Sequence, residues 1–417
     1  MLQTLLIIGR NFRPISPFIS VFLVEEKRFT TKDIADRIIP WWLYSMLLFS
    51  LILSWIVAKI GLLSTIISSV VSEIAAYLFL LKMRKKSVVF TVLIEILMAY
   101  RNSTLVVDKR FYSENDQTMS VRYSTIRKIT GILSSFISQN MYYISGSSVP
   151  SVYLTIISQV MVLFCILGIC QDKNLAEEAT NSSQSIRITY NLVSKILSYT
   201  GAFTLSVCFR IYIDLILIER TGNISYHDGV IRKVLDRISG LFYYISYGLV
   251  RALQVFSSSI KIQPKKDRNK PVHGYLEGFA RVLAVALALP LVIYTSRSQR
   301  SSEILMGVSW ILQISGIYAL KTTKNIVGGY LAYLLSFLGT NITLYISYNG
   351  INREADRNIL SIMSYISGVS AAAHAIIDFI SRRNKLIPQA RFNVYAYLGS
   401  SMFACAGIFS VMSRFEI

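Results

Sequence analysis

Four groups of charged side chains stand out inside otherwise apolar runs. The first is Arg13, in Asn11-Phe12-Arg13-Pro14-Ile15-Ser16-Pro17-Phe18, with Arg10 and Asn11 just before it. The second holds Glu95, Arg101, Asn102 and Asp108, where the seven-residue spacing of Arg101 and Asp108 puts them on one helical face. The third is Arg210 with Asp214 and the fourth is His374 with Asp378, each four residues apart and so able to meet on one helix. A charge at bilayer depth costs at least about 2.5–3.5 kcal/mol even on the low scales, so it faces a protein interior or a water-filled path. The chemistry within reach is charge recognition. Desolvated cations suit a carboxylate-bearing solute, whereas carboxylates or aromatic cages suit a cation. For the two four-residue pairs, a structural ion pair locking helix to helix is an equal reading. Arg13 differs, because Pro14 and Pro17 break the helix beside it and leave carbonyls that other helices or water must satisfy. Arg13 is therefore expected to line a polar site cut into the first helix.

The elements that must position these groups are helices in a membrane. The 417 residues are 53% hydrophobic and 16% charged, with a mean hydropathy of +0.49, whereas soluble chains are about a quarter charged. Apolar runs of spanning length fall at about 1–23, 38–57, 60–82, 88–107, 125–145 and 151–170. A polar stretch, Gln171 to Tyr190, follows, and further runs fall at about 191–218, 238–257, 276–296, 303–320, 325–347, 358–380 and 392–412. The expected fold is an all-α polytopic membrane protein like the major facilitator superfamily, with two six-helix bundles and about 12–13 membrane segments. In this plan 1–170 is the first bundle, 171–190 the linker and 191–417 the second bundle. The second half holds one segment too many. The expectation is that 191–218 is a true span opening that half, with Arg210 neutralised by Asp214, and that 276–296 is the additional element. Met1 to Leu23, with no basic leading region, reads as a retained first span.

The net charge of +20 belongs to loops rather than to a nucleic-acid surface, since no basic face interleaves with exposed aromatics. Basic residues in short loops act as orientation signals and headgroup contacts. Three clusters stand out, at Lys82–Lys86, at Lys261–Lys270, and at Arg382, Arg383, Lys385 and Arg391, and no simple twelve-span threading places all three inside. Enzyme chemistry finds little support. The three histidines, His227, His273 and His374, do not stand at metal-ligand spacing with one another or with cysteine. No nucleophile elbow, zinc-protease or phosphate-loop motif occurs. Neither cofactor nor metal is expected. Cys165, Cys170, Cys208 and Cys405 all lie in apolar stretches and read as small buried hydrophobes.

Several pieces, in order, resemble the solute-carrier family of folate and thiamine transporters. Phe12-Arg13-Pro14 with Pro17-Phe18 is similar to the family's first-helix motif, and Lys27-Arg28-Phe29-Thr30 to the loop that follows it. Pro40-Trp41-Trp42-Leu43-Tyr44-Ser45 resembles the entry to the second span. Glu95 stands where the family often has an acid early in the fourth helix, and His374 where folate carriers have a lysine in the eleventh. Pro388-Gln389-Ala390-Arg391-Phe392-Asn393-Val394-Tyr395 is similar to the lead-in to the last helix. The first and last hundred residues carry this resemblance. Departures fall at Ser16, which replaces a family glutamate, and at Ala58 and Gly61, which replace a charged pair. Arg232 or Arg281 replaces a further acid.

The resemblance implies a secondary transporter of a vitamin-like small molecule in the plasma membrane. Acids are lost and the intramembrane cations remain, which favours a folate-like organic anion over thiamine. The residues expected to meet the substrate are Arg13, Glu95, Arg101, Arg210 and His374. The altered acids also leave room for a receptor or scaffold that keeps the fold without transport.

Overall fold

The computed structural model describes residues 2–108, 117–170, 189–221, 242–254, 260, 273–288, 290, 298–323, 326–355, 359–384 and 388–413. All regular structure among them is helical. The helices are α1 (Leu2–Asn11), α2 (Ile19–Glu25), α3 (Thr31–Ile60), α4 (Leu62–Lys82), α5 (Val88–Ser103), α6 (Gln117–Ser145) and α7 (Val149–Cys170). They continue with α8 (Tyr190–Thr221), α9 (242–254), α10 (His273–Leu283), α11 (Gln299–Thr322), α12 (Ile326–Ala355), α13 (Ile359–Arg383) and α14 (Pro388–Met412). Eight of the described helices are long and apolar enough to cross a membrane. Large apolar side chains such as Trp55, Phe164, Ile311 and Tyr365 are more than half exposed. An exposed apolar surface of this extent is suited to lipid rather than water.

Local chemistry sets the helix ends. Thr30 and Asp33 form a capping box at the start of α3, with Asp33 N donating to Thr30 Oγ1 at 3.0 Å and Thr30 N donating to Asp33 Oδ2 at 3.2 Å. A π turn at Ile34–Ile38 precedes Pro40, which cannot donate to the helical ladder and crowds the turn before it. Gly61, at φ 83°, both ends α3 and begins α4, so the chain reverses within one residue in a conformation that disfavours a Cβ. Lys27 closes the far end of α4, donating to Leu81 O at 3.2 Å and Met83 O at 2.8 Å. Burial pushes the Lys27 amine down, while Glu26 beside it opposes the shift.

Packing separates the chain into neighbouring sets. α1 lies on α6 and α7, α4 on α5 and α7, and α3 on α5. In the later part, α8 lies on α12, α13 and α14, and α11 on α12 and α14. Two extensive pairs join early helices to late ones among the described residues. α3 packs antiparallel on α13, with Ser50 and Leu51 against Gly368 and Tyr44 against Arg382. α6 packs antiparallel on α10, with Gln139 against Gly274 and Gly131 against Arg281. α11 and α12 cross closely. A Cβ on Gly339 would stand 2.5 Å from Ser309 O and 2.8 Å from Gln313 N, both backbone atoms that cannot swing away. Gly339→Val is expected to push these helices apart at a cost of about 1–3 kcal/mol. The check is a lowered unfolding midpoint of the detergent-purified protein, with Gly339→Ala intermediate.

α8 is helical through the whole stretch expected to open the second half, and it packs mainly on late helices while also touching α2. Of the run at 276–296, residues 276–288 and 290 are described. α10 packs on α6 and α12 and carries Glu277 and Arg281, while Val282 and Leu287 further along the run are exposed. α9 lies beside early helices, its Val250 and Leu253 packing on Ile137, Met141 and Leu154 of α6 and α7. The expected linker between Gln171 and Tyr190 lies outside the described residues but for its last two positions, and so does the Lys261–Lys270 cluster. The cysteines also depart from expectation. Cys405 is exposed and Cys165 partly so, because an apolar side chain in a membrane helix can face lipid instead of protein. The side chains of Cys170 and Cys208 lie outside the described residues.

Candidate functional site

The densest buried charge in the described residues lies where the first helix breaks. α1 ends at Asn11, Arg13 and Pro14 follow, and Ser16–Phe18 makes a single 3-10 turn before α2. Helix α7 satisfies the backbone groups that the break exposes. Ser158 Oγ and Gln159 Nε2 donate to Gly9 O at 2.8 and 3.1 Å, and Ile15 N donates to Thr155 Oγ1 at 3.2 Å. Asn11 Nδ2 turns back to Ile7 O at 2.8 Å.

The break brings two arginines onto one carboxylate. Glu73 Oε2, on α4, accepts from Arg13 Nη2 at 2.6 Å, Arg101 Nε at 3.0 Å and Arg10 Nη1 at 3.4 Å. Arg10 Nε also donates to Asp108 Oδ2 at 3.1 Å, and Arg10 Nη2 to Ser69 Oγ. Ser69 Oγ in turn donates to Ile66 O at 2.9 Å. Arg10, Glu73, Arg101 and Asp108 are buried, while the Arg13 side chain keeps 17% of its surface exposed. Two carboxylates face three guanidiniums, so one positive charge is left over. In a low-dielectric interior such a surplus attracts negative charge, and Arg13 is the member of the cluster with exposed surface.

The expected site residues separate into groups. Arg13 and Arg101 come together on Glu73. Arg101 and Asp108, expected to share a face, are linked through Arg10 and Glu73. Glu95 is partly exposed on α5, on the side that also carries the buried Thr91, and forms no ion pair or hydrogen bond among the described residues. His374 is fully buried in the later helices, its ring 4.7 Å from that of Tyr395. Asp378 forms an ion pair with Arg382 at 2.9 Å, and Arg382 also reaches the Tyr44 hydroxyl on α3. Arg210 and Asp214 lie within α8, with side chains outside the described residues.

Sequence reasoning passed over Glu73, the hub of the cluster. The signal was present: Glu73 is the single charged residue between Leu62 and Leu81. The criterion that selected Arg13 selects it equally.

No protein-family model matches this chain, and no curated protein matches it. Solved structures do. A bacterial homologue of the iron transporter ferroportin, in an outward-facing state, superposes with a TM-score of 0.58 at 14% identity over 100% of both chains. A point mutant of the nucleoside transporter NupG superposes with a TM-score of 0.54 at 10% identity over 99% of both chains. The chain thus has the all-helical fold of the major facilitator type, as expected from its sequence. With this fold and eight helices of spanning length, it is an integral, multi-pass membrane protein.

Proposed function

We propose that this protein is a secondary transporter that carries a folate-like organic anion across the plasma membrane by alternating access. Residues 1–170 and 191–417 are the two rocking halves in this reading, and 171–190 joins them. The observation that carries it is the surplus positive charge beside Arg13, at a break that opens the first helix. Arg13 and Glu95 meet the solute. Arg101 holds Glu73, and through it Arg13, in place. Arg210 and His374 are the second half's contributors. The solved structures that the chain resembles are described as iron and nucleoside transporters, which agrees with the class of activity and leaves the solute to the site's own chemistry.

Glu95 supports a second reading. A partly exposed carboxylate with no cation on it suits a thiamine-like organic cation. The test is uptake of labelled folate and labelled thiamine by sealed vesicles containing the purified protein. Accumulation of folate alone is expected. Accumulation of thiamine alone favours the cation reading, and accumulation of neither by correctly inserted protein favours a receptor or scaffold.

A further inference from the structure

A second group of charges lies apart from the Glu73 cluster, at the junction of α6, α10 and α12. Lys128, on α6, buries its Nζ without a hydrogen-bond partner, and its ammonium lies 4.3 Å over the ring of Tyr345 on α12. Arg281, on α10, rests against Gly131, one turn along α6 from Lys128. A Cβ on that glycine would stand 2.1 Å from Arg281 Nη1, so the guanidinium occupies the space a larger residue would fill. Arg281 Nε donates to Glu277 Oε1 at 3.2 Å, and Nη2 reaches the same oxygen. Lys128 has no carboxylate partner among the described residues. The Tyr345 ring offsets part of the cost of burying the Lys128 ammonium, but an aromatic face does not complete its three donors. A carboxylate beside Lys128 would.

We propose that Lys128 and Arg281 form an anion subsite at this junction, which takes a carboxylate group of the transported solute. The assignment rests on the transport reading above and adds a place to it. α6 and α10 form one of the extensive pairs that join early helices to late ones, and α12 is a late helix. A carboxylate bound here touches both sets. Such contact is required of a solute whose binding draws two halves together. Gly131 gives the subsite its shape, since any side chain there displaces Arg281.

The test uses the purified full-length protein in lipid nanodiscs, with direct binding of folic acid, succinate and inorganic phosphate as readout. Wild type is expected to bind folic acid or succinate. Lys128→Met should weaken that binding at least tenfold, and Lys128→Arg should hold it within about threefold of wild type. Lys128→Met removes a buried unpaired cation, so its folded yield should equal or exceed wild type. Lys128→Gln gives the same comparison if the methionine variant is poorly made. Unchanged carboxylate affinity in Lys128→Met or Lys128→Gln would overturn the proposal, as would phosphate binding without carboxylate binding, or no binding by wild type. Uptake is measured separately on the same protein. Lys128-dependent binding without uptake supports the subsite and sinks the transport reading alone.

Discussion

Glu73→Ala should yield little or no folded protein. The substitution leaves Arg10, Arg13 and Arg101 facing a single carboxylate, Asp108, with two of the three guanidiniums buried. Removing one partner of a buried pair costs about 3–5 kcal/mol, because the other charge stays desolvated and uncompensated. Here one carboxylate oxygen serves three arginines, so the loss lies at the upper end. It is also large against the roughly 5–15 kcal/mol that separates folded from unfolded domains. The cluster ties the broken first helix to α4 and α5, so the failure should show as loss of the monodisperse peak in size-exclusion chromatography of the detergent extract. Replacing Glu73 and Arg101 together with apolar residues should recover part of the loss, since their partner charges vanish together. A Glu73→Ala protein with wild-type yield and unfolding midpoint would show that the arginines find other partners.

Arg13→Ala should do the reverse, keeping the fold and losing the activity. Arg13 is the partly exposed member of the cluster, and removing it leaves two guanidiniums on two carboxylates, a balanced set. Stability should therefore hold or rise. A hydrogen bond to a charged group contributes about 1.5–3 kcal/mol, so losing it to the solute should cut uptake by about ten- to hundredfold. Arg13→Lys keeps the charge but not the planar fork, and should fall between. Equal losses of uptake and of folded yield would make Arg13 a structural residue and nothing more.

Much of this arrangement is legible in the sequence, and the reasons differ by element. The helical membrane architecture follows from the length and spacing of the apolar runs, because lipid permits little else. The break at Arg13 follows from Pro14 and Pro17, whose missing donors act locally. The partners of Arg13 do not follow, since Glu73 is sixty residues away and only packing brings them together. Local spacing also misleads. His374 and Asp378 stand one turn apart, yet Asp378 pairs with Arg382 and His374 packs on Tyr395. Lys128 and Arg281 could be counted in the sequence, but their proximity depends on α6 crossing α10 at Gly131.

Counterflow tests the central claim most directly. Sealed vesicles containing the purified protein are loaded with unlabelled folate and diluted into a trace of labelled folate. A carrier that exposes one site alternately to the two sides brings label in faster than it leaves, so internal label should overshoot its equilibrium level and then decay. Arg13→Ala vesicles should show no overshoot. A monotonic approach to equilibrium by wild type, or no entry of label in vesicles shown to contain inserted protein, would contradict transport of a folate-like anion by alternating access.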